Sequence, residues 1–348
     1  MFYLVILNFI RLYNLYIMEF RTLGQSDLKL SAITFGAWAA GGWMWGGTEQ
    51  NDAVKAIQSA FDYGVTSIDT APIYGMGHSE KIVGTAIKDL ARDQVQLVTK
   101  FGLRWDATEG DFYTNTKDND RNPIAIYKNA SKASIIKECE DSLKRLGTDY
   151  IDLYQIHWPD KTTPIQETME AVAQLIKDGK VRYAGVCNYS VEQLEEANTY
   201  VDIISNQVPY SMVNRGIETD LVPYVIKQNM SILAYSPLQR GLLTGKMQAG
   251  HVFSEGDHRQ GLAFFKDENI TQTVTFLDKL KPLAESKHAT IAQLVLRWTI
   301  EQPGITIALA GARNEKQSIQ NAKAIDVKLT AEELQFISKA LEQVKLDL

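Results

Sequence analysis

Eight short runs of branched and aromatic residues recur along this chain, separated by longer stretches in which apolar residues repeat with a helical period. The runs are Ile33 to Trp38, Thr66 to Ala71, Val95 to Phe101, Ile151 to Trp158, Arg182 to Asn188, Ile203 to Val208, Ser231 to Ser236 and Thr306 to Ala310. Strands that alternate with helices predict βα units around a parallel sheet. Eight such units are the number that closes a (β/α)8 TIM barrel, so the expected fold is a single α/β barrel. The intervening faces agree: Ala53, Val54, Ile57, Ala60 and Phe61 fall on one helical stripe, and Ile135, Ile136, Cys139, Leu143 and Leu146 on another.

Helix starts are marked by Thr163-Pro164-Ile165-Gln166, which puts proline at the first helical position, and by the capping pattern Ser190-Val191-Glu192-Gln193. Thr330-Ala331-Glu332-Glu333 opens an extra C-terminal helix beyond the eighth run. Upstream, Phe20 to Ser31 alternates around Gly24-Gln25-Ser26-Asp27 and predicts an N-terminal β-hairpin that closes the barrel's bottom. Three long loops, Gly41 to Gln50, Asp106 to Asn129 and Gly250 to Lys266, follow strands and so belong to the face where strand carboxyl ends emerge. They are expected as lids or pocket walls. In residues 1–17 the apolar run Phe2 to Leu7 is broken by Asn8, Arg11 and Asn14, well short of the roughly 20 residues of a spanning helix. Neither a basic start nor a small-residue cleavage site suggests a signal peptide. Met18 is therefore expected as the true start, with 1–17 a loose or non-native extension and 18–348 the barrel.

At 348 residues, 45% hydrophobic and 22% charged, the composition is that of a globular protein. A formal charge of −6 offers no basic field to a phosphate backbone, which argues against nucleic acid as a partner, and none is expected. Cys139 and Cys187 fall in separate elements, so neither a disulfide framework nor a redox pair can be drawn, and a reducing cytoplasm fits. Cys139, on a packed stripe, reads as core. His78, His157, His251, His258 and His288 lack ligand spacing and an accompanying carboxylate cluster, so no metal is expected.

The chemistry lies at strand ends. Asp69-Thr70-Ala71-Pro72-Ile73-Tyr74 closes the second run, Val98-Thr99-Lys100 the third and Gln155-Ile156-His157 the fourth. In a parallel barrel those ends converge on one mouth. Reducing a carbonyl requires a proton for the oxygen as hydride reaches carbon. Tyr74, with an ordinary pKa of about 10, stays protonated at neutral pH and needs help to release its proton. Lys100 stabilises the phenolate, Asp69 keeps Lys100 charged, and His157 polarises the carbonyl from the other side. Taken singly, each residue has a structural reading as turn acceptor, loop aromatic, solvated end or core histidine; their convergence favours a site.

Those segments, with Tyr150 to His157, Gly185-Val186-Cys187-Asn188, Ala234-Tyr235-Ser236-Pro237-Leu238 and Gly311-Ala312-Arg313, resemble the aldo-keto reductases, specifically the bacterial type related to inositol-operon reductases and potassium-channel β subunits. The resemblance runs from about Phe20 to the C-terminal helix. It assigns the family's catalytic tetrad to Asp69, Tyr74, Lys100 and His157. It also implies NADP(H), with NAD possible, held without a Rossmann fold, in accord with the lack of a strand-borne G-x-G-x-x-G; Gly75-Met76-Gly77 is half of one. By the same resemblance Asn188 and Gln207 hold the carboxamide, beside Cys187 where the family has serine, and Tyr235 stacks on the nicotinamide. Ser236, Pro237, Leu238, Arg240, Gly241 and Lys246 form the pyrophosphate loop. Gly311, Arg313, Gln317 and Asn321 contact the adenosine, with Arg313 suited to a 2′-phosphate fork. Gly241 to Lys246 is not a P-loop, since Arg240 and Met247 stand where its first glycine and its hydroxyl residue belong.

Trp43, Trp45 and Trp158 are expected to wall the substrate side for a small carbonyl compound. The leading expectation is an NADP-dependent reductase of aldehydes or ketones; the alternative is a regulatory subunit or redox sensor that binds cofactor with little turnover. Physiological substrate, direction and oligomeric state have no signature in the sequence.

Overall fold

The computed structural model describes residues 18–45, 49–254 and 257–348. The extension expected at 1–17 lies outside the described residues, as do parts of two of the long loops. A hairpin of β1 (Phe20–Thr22) and β2 (Lys29–Ser31) leads into β3 (Ile33–Gly36), β4 (Ser67–Asp69) and β5 (Gln96–Phe101). A side sheet of β6 (Leu103–Arg104), β7 (Asp111–Lys117) and β8 (Pro123–Lys128) comes next. The chain then resumes the barrel with β9 (Ile151–Ile156), β10 (Val181–Cys187), β11 (Ile203–Pro209), β12 (Ser231–Tyr235) and β13 (Ile305–Gly311). The strands β3, β4, β5 and β9 to β13 pair in chain order, all parallel, and β13 returns to β3 to close the barrel. Around it lie α1 (Gln50–Asp62), α2 (His78–Ile87), α3 (Lys132–Leu146), α4 (Ile165–Lys177), α5 (Val191–Ala197), α6 (Leu221–Gln228), α7 (Asp267–Ser286), α8 (Ile291–Ile300), α9 (Glu315–Ala322) and α10 (Ala331–Leu341).

Strands covered on both faces lose the polar alternation of a surface sheet. All six residues of β9 are buried. Its Tyr154 and Ile156 pack outward against Ile135, Cys139 and Leu143 of α3, while Leu153 points inward beside Val98, Leu233, Ile307 and Leu309. The stripes seen in the sequence are thus the helix faces laid on the barrel. Ser190, Thr290 and Thr330 each cap a helix through a reciprocal bond with the Gln or Glu three residues on. Pro164 differs from expectation: it is the N-cap of α4, not its first helical residue, because its ψ of 140° is extended.

The bottom of the barrel is plugged by the N-terminal hairpin, whose Leu23, Leu28 and Leu30 join Val98, Leu153, Ile204 and Leu233 in one cluster. Asp27 anchors its turn, accepting from Tyr183 Oη at 2.7 Å and pairing with Arg182 at 3.0 Å. Leu30 is fully buried, and Leu30→Ala is expected to cost about 2–5 kcal/mol. A lowered urea midpoint at unchanged slope measures this, with turnover by the folded fraction preserved.

The long loop expected at Asp106 to Asn129 is a correction: it folds into the antiparallel β7–β8 hairpin, joined to β6 through Leu103↔Lys128. Gly110 permits the entry turn at φ 109°, where a Cβ would lie 2.0 Å from the Lys128 carbonyl oxygen. The far end is tied to the first βα loop by Trp43 Nε1 donating to Lys117 O and Asn119 Nδ2 donating to Gly41 O, both at 3.0 Å. The hairpin is therefore a wall fixed at both ends. No helix among the described residues is long and apolar enough to cross a membrane.

Candidate active site

Asp69 ends β4, Lys100 is the penultimate residue of β5, and His157 follows β9, so the barrel's parallel register brings all three to one mouth. Tyr74 arrives on the turn between β4 and α2. That turn closes by Gly77 N–H to Pro72 O at 2.6 Å and Ser79 N–H to Tyr74 O at 3.0 Å. Gly75 is required in it, because at φ 69° a Cβ would stand 2.5 Å from Gly41 O.

The four residues expected from the sequence do meet. Lys100 Nζ donates to Asp69 Oδ1 at 2.7 Å and to Thr70 O at 2.9 Å, and it lies 5.0 Å from the centroid of the Tyr74 ring. The His157 ring meets Tyr74 edge-on at 5.6 Å. Burial works against the Lys100 charge, but Asp69, then Tyr74 and Cys187, outweigh it and hold the ammonium above its ordinary value. Burial pushes the Tyr74 phenol up to about 12, with Lys100 pulling against it. Tyr74 is thus a protonated acid across the neutral range, beside a cation that favours its phenolate.

Burial, then the Lys100 charge, holds His157 well below 6.5, so its imidazole is neutral at neutral pH and can donate one hydrogen bond without adding charge. Because the folded value lies below the unfolded one, the stabilisation it provides is full above about pH 6.5 and is lost as pH falls, the unfolded chain taking up the proton first. His258, lowered mainly by burial, has the same sign. We expect His157→Asn to remove up to about 1.4 kcal/mol per pH unit from the acid-side dependence of stability, as read from urea midpoints between pH 5 and 7.

Gln207, expected from the resemblance to hold a carboxamide, here donates through Nε2 to Asp69 Oδ2 at 2.8 Å and so buttresses the ion pair. Asn188, at φ 61°, donates to His157 O at 3.1 Å and accepts from Tyr235 Oη at 3.0 Å, which orients the tyrosine ring over the mouth. Cys187 is buried among these groups, and burial raises its thiol far above the ordinary range. Such a thiol is inert and a weak hydrogen-bond partner.

After β12 the backbone enters left-handed conformations at Ser236, Gln239, Arg240 and Gly241. Three non-glycine residues held there amount to local strain of the kind that clusters at binding sites. Pro237 is buried, Leu238 O closes the turn by accepting from Gly241 and Leu243, and Lys246 is exposed at its far end. The Arg240 guanidinium stands 5.8 Å from the Trp38 ring with no carboxylate in ion-pair reach among the described residues. Beyond β13, Asn321 Nδ2 donates to Gly311 O at 3.0 Å and Gln317 accepts from Arg313 N–H at 3.0 Å, so these two bonds tie α9 to the end of β13 and the turn that follows it. Arg313 precedes the N-cap Asn314 and does not open the helix itself.

The tryptophans separate. Trp158 packs against Tyr113 of the β7–β8 wall at 5.9 Å, and Trp43 is buried under that wall among Ala71, Ile73, Leu103 and Ile126. Trp45 lies on the Arg313 side, between the guanidiniums of Arg313 and Arg259 at 5.9 and 5.4 Å. Trp38, overlooked in the sequence, stacks on Tyr74 at 6.0 Å, although it lies just past β3 and the strand-end criterion would have found it. Also overlooked were Tyr113, on the half-exposed strand β7 whose polar residues mimic a loop, and His258, in a loop with no periodicity. His258 Nδ1 bonds Met44 O at 2.7 Å, joining the first loop to the last across the mouth. The Nε1 atoms of Trp38 and Trp45 and Nε2 of His258 are buried without a protein partner. With an unpaired Arg240 and a turn of left-handed residues, these orphaned groups fit a long polar anionic ligand. Among the described residues, no three His, Cys, Asp or Glu side chains gather to hold a metal ion.

Comparison with known proteins matches residues 32–342 to the model of the aldo/keto reductase family. The chain is 35% identical to the NADH-specific methylglyoxal reductase of Escherichia coli, over 92% of this chain and 98% of that protein. It superposes on the glycerol dehydrogenase of Gluconobacter oxydans with a TM-score of 0.83 and 36% identity, covering 93% of this chain and 95% of the other. An aldo/keto reductase of Klebsiella pneumoniae, solved with NADP and acetate, gives a TM-score of 0.69 at 31% identity, over 95% of this chain and all of that one.

Proposed function

The chain belongs to the aldo/keto reductase family, and on that premise we propose that it is an NADP-dependent oxidoreductase that reduces aldehydes or ketones to alcohols with Tyr74 as proton donor. The observation that carries this reading is the buried Asp69–Lys100 pair set against a protonated phenol, with a neutral histidine edge-on to the same ring. The nicotinamide, when bound, supplies the hydride to the carbonyl carbon. Every other part of the chemistry falls to the chain. Tyr74 Oη gives its proton to the oxygen as negative charge develops, and Lys100 stabilises the phenolate that remains. His157 directs one N–H at the same oxygen and, being neutral, does not compete as an acid. Asp69 and Gln207 keep the ammonium in place.

The residues fit NADP. The turn from Ser236 to Gly241, with Arg240 and Lys246, would hold the pyrophosphate; Tyr235 and Asn188 would flank the nicotinamide; Gly311, Arg313, Gln317 and Asn321 would take the adenosine. An arginine just before a helix N-terminus suits a 2′-phosphate. The relatives are divided, one being named NADH-specific and another solved with NADP, so NAD remains an admissible second cofactor. Two relatives are named for three-carbon compounds, which makes short oxygenated carbonyls the first substrates to try. The test is loss of cofactor absorbance with a panel of such aldehydes and ketones. We expect turnover with NADPH exceeding that with NADH, and Arg313→Leu to raise KM for NADPH about tenfold while leaving NADH nearly unchanged, the size of one charged hydrogen-bonded contact. Tight binding of cofactor with no carbonyl reduced would instead favour a binding subunit.

A further inference from the structure

We propose that Glu80 is a positioning residue for the proton donor, and that the first turn of α2 is a bracket that sets the distance from Tyr74 to the Asp69–Lys100 pair. The inference rests on the reading of Tyr74 as donor. Ser79 and Glu80 are both fully buried, an unusual place for a carboxylate unless it is paired. Ser79 binds three ways: its N–H donates to Tyr74 O at 3.0 Å, its hydroxyl donates to Ala37 O at 2.9 Å, and it shares a bond with Thr70 Oγ1 at 2.9 Å. Thr70 in turn offers its carbonyl to Lys100 Nζ. Glu80 reaches the other strand. Its Oε1 accepts from Thr99 Oγ1 at 2.7 Å, and its Oε2 from Arg145 Nε of α3 at 2.6 Å.

Successive residues of a strand face opposite ways. Lys100 points into the barrel and Thr99 out, so Glu80 grips β5 from behind at the residue next to the cation. The bracket thus touches the residues adjoining Asp69 and Lys100 while its own helix begins four residues after Tyr74. An acid in a first helical turn also suits the helix dipole, and that competing role is structural. The two differ in what they move.

The experiment compares wild type, Tyr74→Phe, Glu80→Ala, Glu80→Gln and Thr99→Val in NADPH-dependent aldehyde reduction and in the pH dependence of alcohol oxidation. Glu80→Ala is expected to lower kcat about 10- to 100-fold, as a misplaced reacting group does, with KM for NADPH within about twofold. Because Lys100 then pulls less on the phenol, the alkaline midpoint of oxidation should rise by about half a unit or more. Glu80→Gln keeps an acceptor for Thr99 and should retain kcat within about threefold. Thr99→Val should shift the midpoint as Glu80→Ala does, and a variant combining Glu80→Ala with Thr99→Val should be no worse than either alone. If Glu80→Ala fails to fold, Thr99→Val decides. Wild-type turnover abolished by Tyr74→Phe, with kcat and midpoint unmoved in Glu80→Ala and Thr99→Val, overturns this inference alone; a wild type without turnover overturns it together with the proposed function.

Discussion

Tyr74→Phe is expected to lower kcat for carbonyl reduction about 10²- to 10⁴-fold, the usual worth of a positioned general acid. The substitution removes one oxygen and keeps the ring, so stacking on Trp38 and the edge contact with His157 survive. Cofactor affinity should therefore be unchanged, and fluorescence titration with NADPH checks that the loss is confined to chemistry. The direction of the pH effect follows from the raised phenol: reduction needs the protonated form, so it should hold through the neutral range and decline only toward alkaline pH. Oxidation needs the phenolate and should climb over the same interval. A variant that keeps its kcat would transfer the donor role to His157.

Lys100→Met is expected to damage both activity and stability. It strands the Asp69 carboxylate, which is almost wholly buried, and removing one partner of such a pair costs about 3–5 kcal/mol. Burial already raises the Asp69 carboxyl, and Lys100 is the strongest influence opposing the rise. Without it the carboxyl takes a proton far more readily when folded than when unfolded. A raised folded value stabilises at low pH and is lost as pH increases through it, so the variant should regain ground in mild acid. Adding Asp69→Asn should restore much of the urea midpoint at pH 7 while leaving the protein inactive, which separates the fold's need for neutrality from the chemistry's need for a cation.

Much of this was legible in the sequence for a simple reason: barrel strands are buried on both faces, so each appears as a compact apolar run, and the eight runs end within two residues of the observed strands. The convergence of Asp69, Tyr74, Lys100 and His157 was legible because polar residues at the ends of buried strands stand out against the apolar runs. The β7–β8 wall was not, since Asp111-Phe112-Tyr113-Thr114-Asn115-Thr116-Lys117 is half exposed and its polar residues mimic a loop. Nor could contacts across the mouth be read. His258 against Met44 joins residues 214 positions apart with no pattern linking them. Glu80 was hidden by its place in a first helical turn, where an acid is unremarkable until its burial is known. Gln207 entered only through the resemblance, as a carboxamide contact, and its bond to Asp69 had no signal in the sequence.

A lysine ammonium has three hydrogens. In Lys100 one is committed to Asp69 and one to the Thr70 carbonyl, and Tyr74 is the neighbour placed to take the last. The cation thus has no vacancy for a solute. A small carboxylate entering the mouth gains hydrogen bonds from Tyr74 and His157 or else must evict the phenol. Inhibition by such anions should accordingly track the protonation of Tyr74, weakening as the phenol ionises, and owe little to the formal positive charge buried beneath it.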